Sequence, residues 1–364
     1  MNRQIPEVAT SELLQKYPVA RRFLVGFEGT SAPRELLELL KKGLAGVAIY
    51  PRNFSSVDGL AALTAEIRAT ADGPLLIGID QEGGTRFSLP EPFTQWASPS
   101  DLGRLGDAQA VRDVARAIGR ELVAAGCNLD FAPMLDVHVN PASPVTQVRS
   151  FGADPELVGR MGAAFLDGLG EAGVLGCAKH FPGHGDAEVD PHLDLPVFHG
   201  TAERLERVEL VPFAAAIAAG AATIMTAHIL LPKIDGERPA SLSRKIVTQI
   251  LRERMEFRGL ILADDLAMGA IARRFSIGDA TVATFSAGTD VAMLCHDISL
   301  VEPAMEATRK ALEDGTLSKE EWAAAGARVE RVLRKIHSSG ASLDLIGSNE
   351  HRALAKKLRE RLNK

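Results

Sequence analysis

Eight short apolar runs recur along the chain, at 23–27, 46–49, 75–79, 128–132, 174–178, 223–226, 259–263 and 291–294, and each is closed by a polar turn. Stretches between them, such as 33–42, 57–71, 108–125, 155–172, 202–218 and 243–255, carry apolar residues three and four apart, the mark of a helix with one buried face. Runs that are continuously apolar rather than alternating describe strands covered on both sides, and strands that alternate with helices describe a parallel sheet. Eight such units favour a closed barrel over an open doubly wound sheet. The expectation is an α/β chain folded as a single (β/α)8 barrel over residues 1–337. The charged segment 338–364, ending Arg-Glu-Arg-Leu-Asn-Lys, reads as an appended, solvated helical tail.

Composition agrees with one large globular unit. The chain has 364 residues, within the roughly 200 to 400 that one such barrel takes. Hydrophobic residues make up 46% and charged residues 24%, enough for a sizeable core. The net charge of -6 comes from interspersed signs, so no stripe exists to steer a polyanion, and a small or neutral substrate fits better than nucleic acid. Cys127, Cys177 and Cys295 are widely spaced in apolar surroundings and read as buried reduced thiols. The start Met-Asn-Arg-Gln-Ile-Pro-Glu lacks the pattern of a secretory signal, and no run of 18 apolar residues exists to span a membrane. A cytoplasmic monomer without membrane partners is the expectation.

In a closed parallel barrel, polar residues that follow the strands converge at one rim. Asp80, Asp136, His180, His228, Asp264 and Asp290 all fall at or near strand ends, so they are expected to meet there. Histidines concentrate beside them: five of the nine lie between His180 and His228. Three sit in Lys179-His180-Phe181-Pro182-Gly183-His184-Gly185-Asp186-Ala187-Glu188-Val189-Asp190-Pro191-His192, whose glycines and prolines make a tight functional loop. Asp190 and His192, one residue apart, point the same way in extended backbone, where a carboxylate can orient and charge-stabilise an imidazole. That is an acid/base dyad. Asp264 and Asp265 follow the strand Leu260-Ile261-Leu262-Ala263. A helix N-cap is one reading of this pair; Asp265 suits the cap, leaving Asp264 at the strand end as a nucleophile.

These residues resemble the family 3 glycoside hydrolases, and within them the bacterial β-N-acetylglucosaminidases that recycle peptidoglycan. The likeness runs from about Phe23 to Leu333. It rests on Ile79-Asp80-Gln81-Glu82-Gly83-Gly84, Asn128-Leu129-Asp130-Phe131-Ala132-Pro133 with Asp136, Val148-Arg149-Ser150-Phe151-Gly152, the Lys179–His192 loop, Met225-Thr226-Ala227-His228 and Ala263-Asp264-Asp265-Leu266. The resemblance implies Asp264 as nucleophile, His192 as general acid/base with Asp190 as its partner, and Asp80, Arg149, Lys179 and His180 as ligands of the N-acetylglucosamine. Three positions depart from the family pattern. Pro191 stands where Ser is frequent, Thr85-Arg86-Phe87 is shortened, and Ala263 replaces a common Ser.

The implied reaction is two-step displacement with net retention on an N-acetylglucosamine-containing saccharide or muropeptide, without metal or other cofactor. A histidine acid/base repels an anionic acceptor less than a glutamate would, so phosphorolysis on the same site is an alternative. A metal-dependent barrel hydrolase using His180, His184, His192, His228 and an aspartate is another. A non-catalytic sugar-binding module is the third, although the chain has only 2 Trp and 2 Tyr to serve as sugar platforms.

Overall fold

The structure, a computed structural model, describes residues 10–336 and 341–364. Eight parallel strands close into a barrel: β1 (Phe23–Val25), β2 (Gly46–Ile49), β3 (Leu76–Ile79), β4 (Leu129–Asp130), β5 (Leu175–Phe181), β6 (Thr223–Thr226), β9 (Leu260–Asp265) and β10 (Val291–Leu294). Two short antiparallel strands, β7 (Leu230–Leu231) and β8 (Asp235–Pro239), form a separate hairpin in the loop after β6. Around the barrel the order is β1-β10-β9-β6-β5-β4-β3-β2, so each barrel strand pairs with its neighbours in sequence and β1 closes on β10. All eight expected strands are present.

Alternation along the strands separates two apolar layers. Leu24, Leu76, Leu129, Cys177, Met225, Leu260, Leu262 and Met293 form one cluster with Phe131, while Phe23, Val25, Ile77, Ile224 and Ile261 join the larger cluster shared with the helices. A closed barrel requires this division, because successive side chains point inward and outward. Gly78 shows how tightly the first cluster is filled: a Cβ there would lie 2.5 Å from the Phe131 ring. Val329, Val332 and Leu333 of the helix Lys319–Leu333 join that same cluster. The three cysteines are buried and free.

The helices begin where the sequence supplies caps. Ser56, Asp107 and Asp154 accept the backbone N–H of Gly59, Ala110 and Glu156 at the starts of Val57–Thr70, Ala108–Ala124 and Pro155–Glu171. Two expected helices are wound differently from a regular α-helix. Leu205–Glu209, between Ala202–Arg204 and Leu210–Ala218, has π-type turns, and so does Lys245–Arg254. The wider turn shifts the buried face without ending the helix, which is why the apolar spacing still read as helical.

The boundary at 337/338 and the N-terminal start fall outside the described residues. The C-terminal helix Asn349–Leu362 is not solvated all round: His351, Ala355 and Leu358 are buried. Its anchor is the buried Glu121, which accepts from His351 Nδ1 (2.8 Å), Gly347 N (3.1 Å), Thr94 N (3.0 Å) and the Thr94 hydroxyl (2.5 Å). In so charged a segment, Leu354, Ala355, Leu358 and Leu362 mark that face only weakly. No helix among the described residues is long and apolar enough to cross a membrane.

Candidate active site

At the C-terminal mouth of the barrel lies a cavity of about 290 Å3, and its walls include all seven expected site residues: Asp80, Arg149, Lys179, His180, Asp190, His192 and Asp264. Of the rim residues expected to converge, Asp290 does not. It precedes β10 rather than following it, and so stands at the opposite, N-terminal end of the barrel.

The first wall is a buried ion network. Lys179, in β5, donates from Nζ to Asp80 (2.5 Å) and Glu82 (2.8 Å), and Arg149 forks onto Glu82 through Nε and Nη2 (2.8 and 2.7 Å). Two cations are thus balanced by two carboxylates. Burial raises the Glu82 carboxyl, but Arg149 and Lys179 outweigh it and hold its pKa at about 2. Burial opposes the charge on Lys179, yet Asp80 and Glu82 keep its pKa above the ordinary value. The Phe87 ring covers the network, 4.1 Å from the Arg149 guanidinium, with its backbone at φ 49 and its carbonyl accepting from Glu82 N (2.8 Å). Neither Glu82 nor Phe87 had been given a role. The signal was present: two inward cations with Asp80 alone leave one charge unbalanced, and a buried charge needs a partner.

Asp136 organises the second wall. It accepts from His180 Nδ1 (2.8 Å) and from the backbone N–H groups of His184 (2.6 Å) and His180 (3.4 Å). Burial raises its carboxyl, but the two imidazoles and the backbone donors bring the pKa to about 2. An ionised Asp136 fixes the His180 proton on Nδ1. Burial lowers His184 to about 4, so its ring is neutral near pH 7. Lys179 and His180 are adjacent in sequence yet both reach the cavity, because the pairing of β5 with β6 shifts register between Ala178 and Phe181.

Asp136, His180 and His184 offer ligand atoms within 4.8 Å of one another, the group among the described residues that could hold a metal ion. The larger ligand set of the metal-hydrolase reading does not assemble. His228 uses Nε2 on the Asp265 carbonyl (3.0 Å) and Nδ1 on Ser241 Oγ (2.7 Å), and His192 turns Nδ1 to Asp190.

Asp264 and Asp265 end β9 with different duties. Asp265 accepts from Ala267 N (3.0 Å) and Cys295 N (3.1 Å) and pairs with His296, so it ties the turn after β9 to the end of β10. It caps this turn and not a helix: the short helix Gly269–Ala272 starts at Met268 without a side-chain cap. Asp264 accepts from Asp265 N (2.8 Å) and enters no ion pair among the described residues, unlike the other cavity carboxylates Asp80, Asp190 and Asp265. Burial raises its carboxyl, but the nearby His228 and His180 imidazoles and the Asp265 N–H lower it below the ordinary carboxylate value. It is an ionised carboxylate without an ion-pair partner among the described residues, a state in which a carboxylate oxygen can act as a nucleophile.

His192 enters from the loop after β5. Its backbone N–H and Nδ1 both meet Asp190 Oδ1, at 2.9 and 2.7 Å, and half of its side chain is exposed. The loop lies against the turn that follows Asp264. Ala270 N donates to the Pro191 carbonyl (3.1 Å), and a Cβ on Gly269 would come within 2.6 Å of the His192 carbonyl. Gly269 therefore lets the dyad approach the segment that carries Asp264.

The match to the Glycosyl hydrolase family 3 N terminal domain spans residues 22–334. The chain belongs to this family of glycoside hydrolases. Beta-hexosaminidase A of Pseudoalteromonas piscicida is 36% identical over 362 residues, which take in 90% of this chain and 60% of that protein. The beta-hexosaminidase of Thiobacillus denitrificans is 38% identical over 72% of this chain and 74% of its own. Among solved structures, the family 3 beta-N-acetylglucosaminidase from Paenibacillus superposes with a TM-score of 0.90 at 35% identity, over 95% of this chain and 68% of that one. The chain thus spans between three fifths and three quarters of these relatives.

Proposed function

We propose that the chain is a retaining exo-β-N-acetylglucosaminidase that releases terminal N-acetylglucosamine from peptidoglycan-derived fragments in the cytoplasm. The observation that carries the mechanism is that Asp264, alone of the cavity's carboxylates, enters no ion pair among the described residues, and shares the cavity with a histidine whose other nitrogen is held by a carboxylate. In the first step an Asp264 oxygen bonds to the anomeric carbon as the glycosidic C–O bond breaks, and His192 Nε2 gives its proton to the leaving oxygen. In the second, His192 takes a proton from water while the water oxygen displaces Asp264 from that carbon. Asp190 stabilises the imidazolium and fixes its orientation.

The relatives' beta-hexosaminidase and beta-N-acetylglucosaminidase activities support a terminal N-acetylglucosamine as the bound sugar, and the site suits it. A cavity of about 290 Å3 matches one sugar ring more closely than a polymer in a through-groove. Charged groups in its first wall can hold neighbouring hydroxyls by charge-assisted hydrogen bonds. Arg86 and His296 are exposed at the mouth, where they favour an acidic aglycone such as a muropeptide.

The test is hydrolysis of p-nitrophenyl β-N-acetylglucosaminide by wild type and Asp264→Ala, with the first-formed sugar anomer read by proton NMR. Release of the β-anomer, unchanged by chelator and abolished in Asp264→Ala, is expected. An α-anomer product would overturn retention, loss on chelation would return the metal reading, and sugar 1-phosphate formed in phosphate buffer would reassign the acceptor. A muramyl disaccharide peptide cleaved no faster than a chitin disaccharide would remove the peptidoglycan assignment.

A further inference from the structure

Asp290, the carboxylate that left the expected rim, belongs to a second cluster beneath the seam where β1 meets β10. It accepts from Arg252 Nη2 (2.6 Å), Arg328 Nε (2.8 Å) and Ile261 N (2.8 Å). Arg22, just before β1, is buried and donates to the backbone carbonyls of Thr289 (2.7 Å) and Asp290. Three guanidiniums thus surround one buried carboxylate. The other acid at the cluster, Glu321, lies at the exposed mouth and is taken by Arg244 (2.6 Å). Burial lowers the Arg22 pKa to about 9, which leaves it cationic near neutrality.

Beside these groups is a cavity of about 160 Å3 whose lining includes Arg22, Arg252, Arg328 and Thr289. That is several times the roughly 30 Å3 a water molecule occupies in the liquid. Three polar atoms on residues that line it, Arg22 Nη1, Arg252 Nε and Thr289 Oγ1, are buried and have no hydrogen-bond partner among the described residues. Arg22 cannot find one locally, because its guanidinium lies between the Phe285 and Trp322 rings at 4.7 and 4.3 Å. The helix Lys319–Leu333 also begins here, with Ser318 as its N-cap, and adds the positive end of its dipole. Excess positive charge, unsatisfied donors and a cavity coincide.

We propose that this cavity is a binding site for a free tetrahedral oxyanion, sulfate or inorganic phosphate, bound by Arg22, Arg252, Arg328 and Thr289. Donors on four different side chains suit an ion with acceptors in several directions. Because the ligand would join Arg22 before β1, Thr289 before β10 and Arg328 on the helix that covers them, its binding would stabilise barrel closure.

The experiment is thermal unfolding of the full chain in sulfate against chloride at equal ionic strength, with equilibrium dialysis of labelled sulfate as an independent measurement. A saturable rise in Tm is expected for wild type. Arg328→Gln should weaken the apparent sulfate affinity by roughly tenfold or more. Ala325→Leu, which fills the cavity from its wall, should remove it. The exposed Arg331→Gln and the sugar-cavity variant Asp264→Asn should bind sulfate as wild type does, and inorganic phosphate should compete where a sugar phosphate does not. A rise that grows without saturation and is equal in all variants would overturn the site, as would loss of binding in Asp264→Asn. Should a cavity variant fail to fold, absence of stoichiometric sulfate on wild type in dialysis would overturn it equally.

Discussion

The two sides of the sugar cavity are built on opposite plans. On the side of β3 and β5, Asp80, Glu82, Arg149 and Lys179 are mutually paired, and three of the four are almost wholly buried. On the side of β9 and the loop after β5, Asp264 has no ion-pair partner and His192 is half exposed. A closed network holds its charge states and geometry over a wide pH range, which suits binding. An unpaired carboxylate and an accessible imidazole can change bonding and protonation, which suits chemistry. Under the proposed function, this division would separate recognition from reaction inside one cavity.

Four substitutions and one change of conditions probe this division. Asp264→Asn should reduce turnover by roughly four to six orders of magnitude while leaving thermal stability near wild type, since it severs no ion pair; a Tm drop comparable to that of a core variant would show that Asp264 is structural. Glu82→Gln should do the reverse. It leaves two buried cations under-compensated, at a cost of about 3–5 kcal/mol in unfolding free energy, and should raise KM more than it lowers kcat. Denaturant titration and steady-state kinetics on the same preparation separate the two effects.

His192→Ala should slow hydrolysis of an alkyl glycoside by roughly 10²–10⁴ but slow formation of the glycosyl-enzyme from an aryl glycoside far less, because a phenolate departs without a proton. Equal loss on both leaving groups would remove His192 from the acid role. Gly269→Ala should cost about tenfold in kcat, in line with a displaced catalytic group, with little change in KM, as the new Cβ pushes the dyad from Asp264. Unchanged kinetics would mean the loop does not depend on that contact.

Acid should distinguish the two sides by stability. The folded-state pKa of His184 is depressed to about 4 from an ordinary 6.5. The unfolded chain therefore binds the extra proton first, and stability falls as pH drops from 6.5 towards 4. Glu82, depressed to about 2 from 4.5, contributes stability that is full above 4.5 and lost as pH falls towards 2. Unfolding free energy measured from pH 7 to pH 3 should decline through both windows, and a curve flat to pH 5 would contradict the buried neutral His184.

Much of this was readable from residue order. Apolar runs placed all eight strands, with shifts only at their ends, because barrel strands buried on both faces need continuous hydrophobicity. The seven expected side chains meet because polar groups after such strands have one rim to occupy. What failed was whatever depends on three dimensions. Asp290 is the exception: its place before the run 291–294, rather than after it, already put it at the other end of the barrel in the residue order. Glu82 and Phe87 act through partners far off in sequence, and Gly269 matters by having no side chain. The tail's buried face rests on His351, Ala355 and Leu358, too few apolar groups to outweigh its charged composition in a reading by residue type.

Glu121 carries a further consequence for how the molecule breathes. One carboxylate grips both the C-terminal segment, at Gly347 and His351, and Thr94, in the stretch that runs back to Phe87 above the sugar cavity. Amide hydrogen exchange in 81–97 should therefore rise and fall with that in 347–362, as one cooperative opening unit.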